Sequence, residues 1–191
     1  MQLGVRPGDA LLIVDPQVDF CPGGELPVAA GDRIFPALNR AMSSFDVIVA
    51  SRDWHPPDHL SFAARGGPWP VHCVQDSEGA ELHPDLDRSR IAKVFDKATD
   101  RDEEAYSAFW GTGLARWLRD HGVTRLFVAG LATDYCVRQS VLDALAGGFS
   151  VVVLEDAIGA VDVRPGDGDR ALEEMARAGA ARARTEDLEA A

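Results

Sequence analysis

Cysteine is scarce in this sequence, with only Cys21, Cys73 and Cys136 among 191 residues. An odd number this small excludes a disulfide framework and points to a reduced, cytoplasmic protein whose cysteines are buried or reactive. Basic residues are also few, 19 Lys and Arg against 31 Asp and Glu, which leaves a net charge of −12. The chain lacks the clustered Lys and Arg that grip phosphate backbones, and an anionic bilayer would repel it, so no nucleic-acid or membrane partner is expected. No apolar run nears the roughly 20 residues needed to span a bilayer. Met1 to Ala10 has no basic stretch leading into an apolar one, so no signal peptide is expected. There is no G-x-G-x-x-G after the first strand candidate, no P-loop and no G-x-S-x-G elbow, which disfavours dinucleotide oxidoreductases, NTPases and serine hydrolases. A small-molecule substrate remains, and oligomeric state stays open between monomer and homo-oligomer.

What is present alternates with a clear rhythm. The runs Ala10 to Val14, Val47 to Ala50, Arg125 to Ala129 and Val151 to Leu154 are short, apolar and uninterrupted, as buried strands are. Ile91 to Phe95 and Ala181 to Arg184 are weaker strand candidates. Helical apolar spacing lies between them at Arg33 to Met42, Gly113 to His121, Val137 to Ala146 and Asp169 to Ala178. The pattern predicts an α/β fold, a three-layer α/β/α arrangement on a mostly parallel, Rossmann-like sheet of about six strands. The length suits one domain over 1–191. The Ala/Arg/Glu tail after Gly179 is expected to fray. The Pro-, Gly-, His- and Asp-rich stretch from Asp53 to about residue 90 is too long for an ordinary connector, and its Trp and His content predicts a binding loop.

In an open parallel sheet, ligands bind beyond the carboxyl ends of the strands. Asp15 follows the first strand, Asp53 and His55 the second, Lys97 the weak third and Cys136 the fourth. Cys136 opens a predicted helix, where the dipole lowers a thiol pKa and free N–H groups can hold an oxyanion. Read singly, Cys136 is as readily a small core residue, Asp15 a turn cap and Lys97 a surface amine. Together they supply a base, a cation and a nucleophile, the parts that covalent acyl transfer needs. Asp53 and His55 alternate where a strand ends, and His72 could complete a two-His, one-carboxylate set open to water or substrate, suited to Zn, Fe or Mn. His59 falls in the same loop, whereas His83 and His121 are expected to face solvent.

These residues sit in recognisable company. Leu12 to Phe20 (LIVDPQVDF) with Gly23-Gly24, Ser51 to Pro56 (SRDWHP), His59 to Phe62 (HLSF), Trp69 to Val74 (WPVHCV), Gly79 to Pro84 (GAELHP), Val94 to Lys97 (VFDK), Tyr106 to Phe109 (YSAF) and Gly130 to Val137 (GLATDYCV) occur in order. In this the chain resembles the nicotinamidase/pyrazinamidase branch of the isochorismatase-like hydrolases over nearly its whole length. The resemblance implies hydrolysis of nicotinamide, and of pyrazinamide, through a cysteine thioester. It implies Asp15, Lys97 and Cys136 as the catalytic triad, with Lys93 as the nearby competitor for the lysine role. It makes Asp53, His55 and His72 the ligands of one divalent metal, with zinc first and iron or manganese as alternatives. His59 would stand beside the metal as a ligand or a neighbour of the ligands. It implies Phe20 and Trp69 as the aromatics that sandwich the ring, a cis peptide before Ala132, and oxyanion donors at Ala132 and Cys136, with Ala132 also against the substrate. Ala98 departs from the glycine that often follows the family lysine. The rivals are a metal-independent carbamoyl or ureido amidohydrolase of the same fold, and a binding module without chemistry.

Overall fold

The uninterrupted apolar runs become strands covered on both faces. In the computed structural model, which describes residues 3–189, the elements in order are β1 (Leu3–Gly4), β2 (Asp9–Val14), α1 (Phe35–Met42), β3 (Ile48–Asp53), β4 (Lys93–Lys97), α2 (Leu114–Asp120), β5 (Arg125–Leu131), α3 (Arg138–Ala146), β6 (Ser150–Gly159), α4 (Asp167–Arg177), β7 (Ala181–Ala183) and β8 (Leu188–Glu189). Six of the strands form one parallel sheet in the order β4-β3-β2-β5-β6-β7. All six residues of β2 are buried, as a central strand between two layers requires.

Alternate residues of each strand serve opposite layers. Leu11, Ile13, Ile48, Ala50, Phe127 and Ala129 face α1, where Phe35, Leu38 and Met42 pack on them. Ala10, Leu12, Val14, Val49, Leu126 and Val128 face the other way, onto Leu114 and Leu118 of α2, Val141 of α3 and Met175 of α4. Where no helix covers the first face, Cys73, Ala80, Leu82 and Leu86 from the long loop take its place. Burying each such Leu, Val or Phe contributes about 1.5–3 kcal/mol. One close approach admits only glycine. Gly130 in β5 has φ of 114°, and a Cβ there would lie 2.0 Å from the carbonyl oxygen of Val14.

From β2 the chain winds outward through β3 to β4, then crosses to β5 and continues the opposite way to β7. The reversal falls between β2 and β5, so a crevice opens beyond their carboxyl ends. Three expectations need correction. The third strand is shifted by two residues to Lys93–Lys97, so Lys97 is its last residue and lies level with Asp53 in β3. The tail after Gly179 does not fray over the described residues: Ala181–Ala183 extends the sheet as β7, Thr185 donates its N–H and hydroxyl to Asp156 at 2.8 and 2.6 Å, and β8 pairs in parallel with β1. Ala190 and Ala191, like Met1 and Gln2, lie outside the described residues. His83 does not face solvent either; it is half-buried and stacks on Phe35 with centroids 4.5 Å apart, whereas His121 is exposed as expected. Among the described residues no helix is long and apolar enough to cross a membrane.

Candidate active site

Asp15 emerges from β2 in the left-handed region, φ 46°, with its carboxylate fully buried. Its Oδ1 accepts a hydrogen bond from the Ser51 hydroxyl at 2.7 Å, and its Oδ2 lies 3.0 Å from Lys97 Nζ. The ammonium of Lys97 is equally buried and gathers the site around itself. It donates to Asp53 Oδ1 at 2.5 Å, to the Ala105 carbonyl at 3.1 Å and to Cys136 Sγ at 3.5 Å. Lys93, the competitor, is exposed and lies over the ring of Phe95. Ligand atoms of Asp15, Asp53 and Cys136 lie within 4.8 Å of one another, a spacing that would suit a cation. The Lys97 ammonium is that cation.

Cys136 stands in a wide π-helical turn, Thr133–Val137, between β5 and α3, and the Leu131–Ala132 peptide before it is cis. A helix end is not the largest influence on this thiol. Burial pushes the Cys136 thiol well above its ordinary range, and the charge of Lys97 only partly opposes this. Burial likewise raises the Asp15 carboxyl to about 6, against the pull of Lys97 and with the push of Asp53. Burial alone would drive the Lys97 amine down, but Asp15 and Asp53 hold it charged, well above its ordinary value. Near neutrality the arrangement is therefore a protonated thiol beside an ionised carboxylate, the pairing that general-base catalysis needs.

Asp53 is also the hinge to a second cluster. One oxygen meets Lys97, and Oδ2 lies 3.6 Å from His55 Nε2. Ligand atoms of Asp53, His55 and His72 all fall within 4.8 Å, and all three residues are buried. Because a carbonyl can only accept, His55 Nδ1–H donates to Ala98 O at 3.2 Å and His72 Nδ1–H to Pro70 O at 2.8 Å. Each Nε2 is left as the nitrogen that faces the set. Burial holds the His72 imidazole neutral by lowering its pKa. Two imidazoles fixed by carbonyls at Nδ1 and one carboxylate form a donor set that fits a divalent metal with open positions. His59 is stacked on His55 at 4.2 Å, but both its nitrogens are engaged, Nδ1 with Ser61 Oγ at 2.8 Å and Nε2 with Glu103 O at 3.0 Å. It is a neighbour of the set with no free nitrogen. Ala98 and Cys73, each beside one of these residues, take φ of 50° and 45°, so a glycine at position 98 would sit there without strain.

The pocket over both clusters is lined by Phe20, Leu26, Ser61, Trp69, Glu104, Tyr106, Ala132, Tyr135 and Val161, with Asp53, His55, His72 and Cys136 at its base. Phe20 and Trp69 are thus both present in its wall. The Trp69 indole N–H donates to the Tyr106 hydroxyl at 3.0 Å, and its ring meets that of Tyr135 edge-on at 5.1 Å. Several residues had no role assigned from the sequence. Gln17 clamps both backbone groups of Asp53, accepting its N–H at 2.8 Å and donating to its carbonyl at 2.7 Å. Asp19 accepts the N–H of Cys73 at 2.6 Å and so fixes the residue after His72. A polar side chain inside a segment otherwise destined for the core, as with Gln17 and Ser51, is the signal that could have found them.

Residues 9–187 match the model of the isochorismatase domain. The chain therefore belongs to the isochorismatase domain family. Within it, the chain is similar to the nicotinamidase of Escherichia coli, 44% identical over 91% of this chain and 93% of that protein. Its structure is similar to a pyrazinamidase of Pyrococcus horikoshii solved in complex with zinc, at a TM-score of 0.87 and 49% identity over 93% of this chain and 99% of that one. It is also similar to PnC1 from L. infantum in complex with nicotinate, at a TM-score of 0.95 and 40% identity over the whole of both chains.

Proposed function

We propose that this chain is an amidohydrolase that converts nicotinamide to nicotinate and ammonia, and accepts pyrazinamide, through a thioester on Cys136. The observation that carries the reading is the shared carboxylate of Asp53. It joins the Asp15–Lys97–Cys136 cluster to the His55–His72 donor pair at the base of one aromatic pocket. Residues 1–191 act as one domain, with 53–90 as its metal- and substrate-binding loop. Three free cysteines suit a reducing, cytoplasmic setting.

The aromatic ring of the substrate lies between Phe20 and Trp69, with its carboxamide against Ala132 and over Cys136. Asp15 takes the thiol proton as sulfur bonds to the carboxamide carbon. The N–H groups of Ala132 and Cys136 hold the resulting oxyanion, at about 3 kcal/mol for a donor of this kind. Lys97 keeps Asp15 and the emerging thiolate in place and offsets their charge. As the C–N bond breaks, Asp15 returns the proton to the leaving nitrogen and ammonia departs. Asp15 then takes a proton from water as its oxygen attacks the thioester, the C–S bond breaks, and the thiolate recovers the proton. Asp53, His55 and His72 would hold a divalent ion, zinc first with iron or manganese as alternatives, which when bound supplies a Lewis acid for the pyridine nitrogen. A complete donor set weighs against the metal-independent carbamoyl and ureido reading, and a complete triad against a binding module. Cys136→Ala should abolish turnover while metal content, read by elemental analysis, stays at the wild-type level. Substantial residual turnover in that variant would remove Cys136 as nucleophile.

A further inference from the structure

The pocket wall carries two carboxylates, Asp53 and Glu104. Asp53 is compensated by Lys97 at 2.5 Å. Glu104 is half-buried, and among the described residues no lysine or arginine pairs with it; its Oε1 accepts the N–H of its own neighbour, Ala105, at 3.0 Å. Its field still reaches into the wall. Burial holds the Tyr106 phenol above its ordinary value, and the charge of Glu104 adds to this.

The reaction proposed above changes the charge of the bound molecule but hardly its shape. A neutral carboxamide becomes a carboxylate of nearly equal size, so steric fit cannot discriminate product from substrate, and charge can. With a divalent ion on Asp53, His55 and His72, the ionised Asp15, Asp53 and Lys97 leave the centre net positive, which favours retention of the anion. An uncompensated negative charge in the wall opposes that retention.

We infer that Glu104 is a specificity-determining residue that weakens binding of the anionic product relative to the neutral substrate. The inference rests on the nicotinamide-hydrolase reading. The test uses metal-loaded protein, with the KM for nicotinamide from initial rates and the Kd for nicotinate from titration calorimetry. These are compared in wild type, Glu104→Gln and Glu104→Asp, at low and high salt. Glu104→Gln should tighten nicotinate by about fivefold relative to the nicotinamide KM, the effect of one partly screened charge at the pocket wall. Glu104→Asp should keep the wild-type ratio, and the difference should narrow at high salt. A ratio that does not move in Glu104→Gln, or that moves as far in Glu104→Asp, would overturn the inference while leaving the hydrolase reading intact. Failure of the wild type to hydrolyse nicotinamide would overturn that reading and the inference with it.

Discussion

Ser51→Ala is a small perturbation with a readable consequence. The Ser51 hydroxyl donates to Asp15 Oδ1 at 2.7 Å, and both groups are buried. A hydrogen bond to a charged group contributes about 1.5–3 kcal/mol, and this one favours the ionised carboxylate. Even its lower end corresponds to roughly one pH unit. Removing it should move the Asp15 carboxyl from about 6 toward about 7. Because Asp15 must be ionised to accept the thiol proton, the acid limb of kcat/KM should move to higher pH by the same amount. At pH 6.5 the ionised fraction falls about threefold, while at pH 8.5 it barely changes. Stability follows the same sign. A carboxyl whose folded pKa is raised favours folding below its unfolded value and loses that contribution as pH rises through the folded one. The variant should therefore lose more stability at pH 8 than at pH 5. A full pH profile of initial rates with nicotinamide gives the answer. An acid limb that stays in place, or moves to lower pH, would refute Asp15 as the base whose ionisation sets it.

Two further substitutions test what holds the site together. Lys97→Met leaves Asp15 and Asp53 buried without their shared cation, which should cost about 3–5 kcal/mol at pH 8. The loss should shrink toward pH 5 as Asp15 takes up a proton, and denaturant melts at both values measure it. Gly130→Ala drives a Cβ into the Val14 carbonyl at a φ of 114°. It should destabilise by more than about 4 kcal/mol, and a melting temperature within a degree of wild type would contradict the close packing of β5 on β2.

The strands were readable because burial on both faces leaves a mark that needs no partner to interpret. Val151 to Leu154 is apolar whichever strand lies beside it. The reading stopped short where pairing decides. Glu155 and Asp156 continue β6 because Arg182 pairs with Glu155 and Thr185 bonds to Asp156, contacts made across the sheet. The two-residue strands β1 and β8 are too short to show any period. At the site, Asp15, Asp53, His55, Lys97 and Cys136 stood out because each lies at or just beyond a strand end, whereas His72 lies in the long loop and was placed by the resemblance. Ser51 and Gln17 did not, since Ser51 reaches Asp15 only through the register that sets Ile13 opposite Ala50. The surroundings of the Cys136 thiol were hidden for a related reason. A helix end is visible in sequence, whereas burial of the thiol beside two carboxylates is a property of the assembled sheet.

The central claim is a metal-dependent cysteine amidohydrolase acting on nicotinamide. Its most direct test is ammonia release from nicotinamide by purified protein, before and after chelation, with bound metal quantified. The account predicts release that falls on chelation and returns with zinc, iron or manganese. No release from a folded, metal-loaded sample would contradict nicotinamide as the substrate.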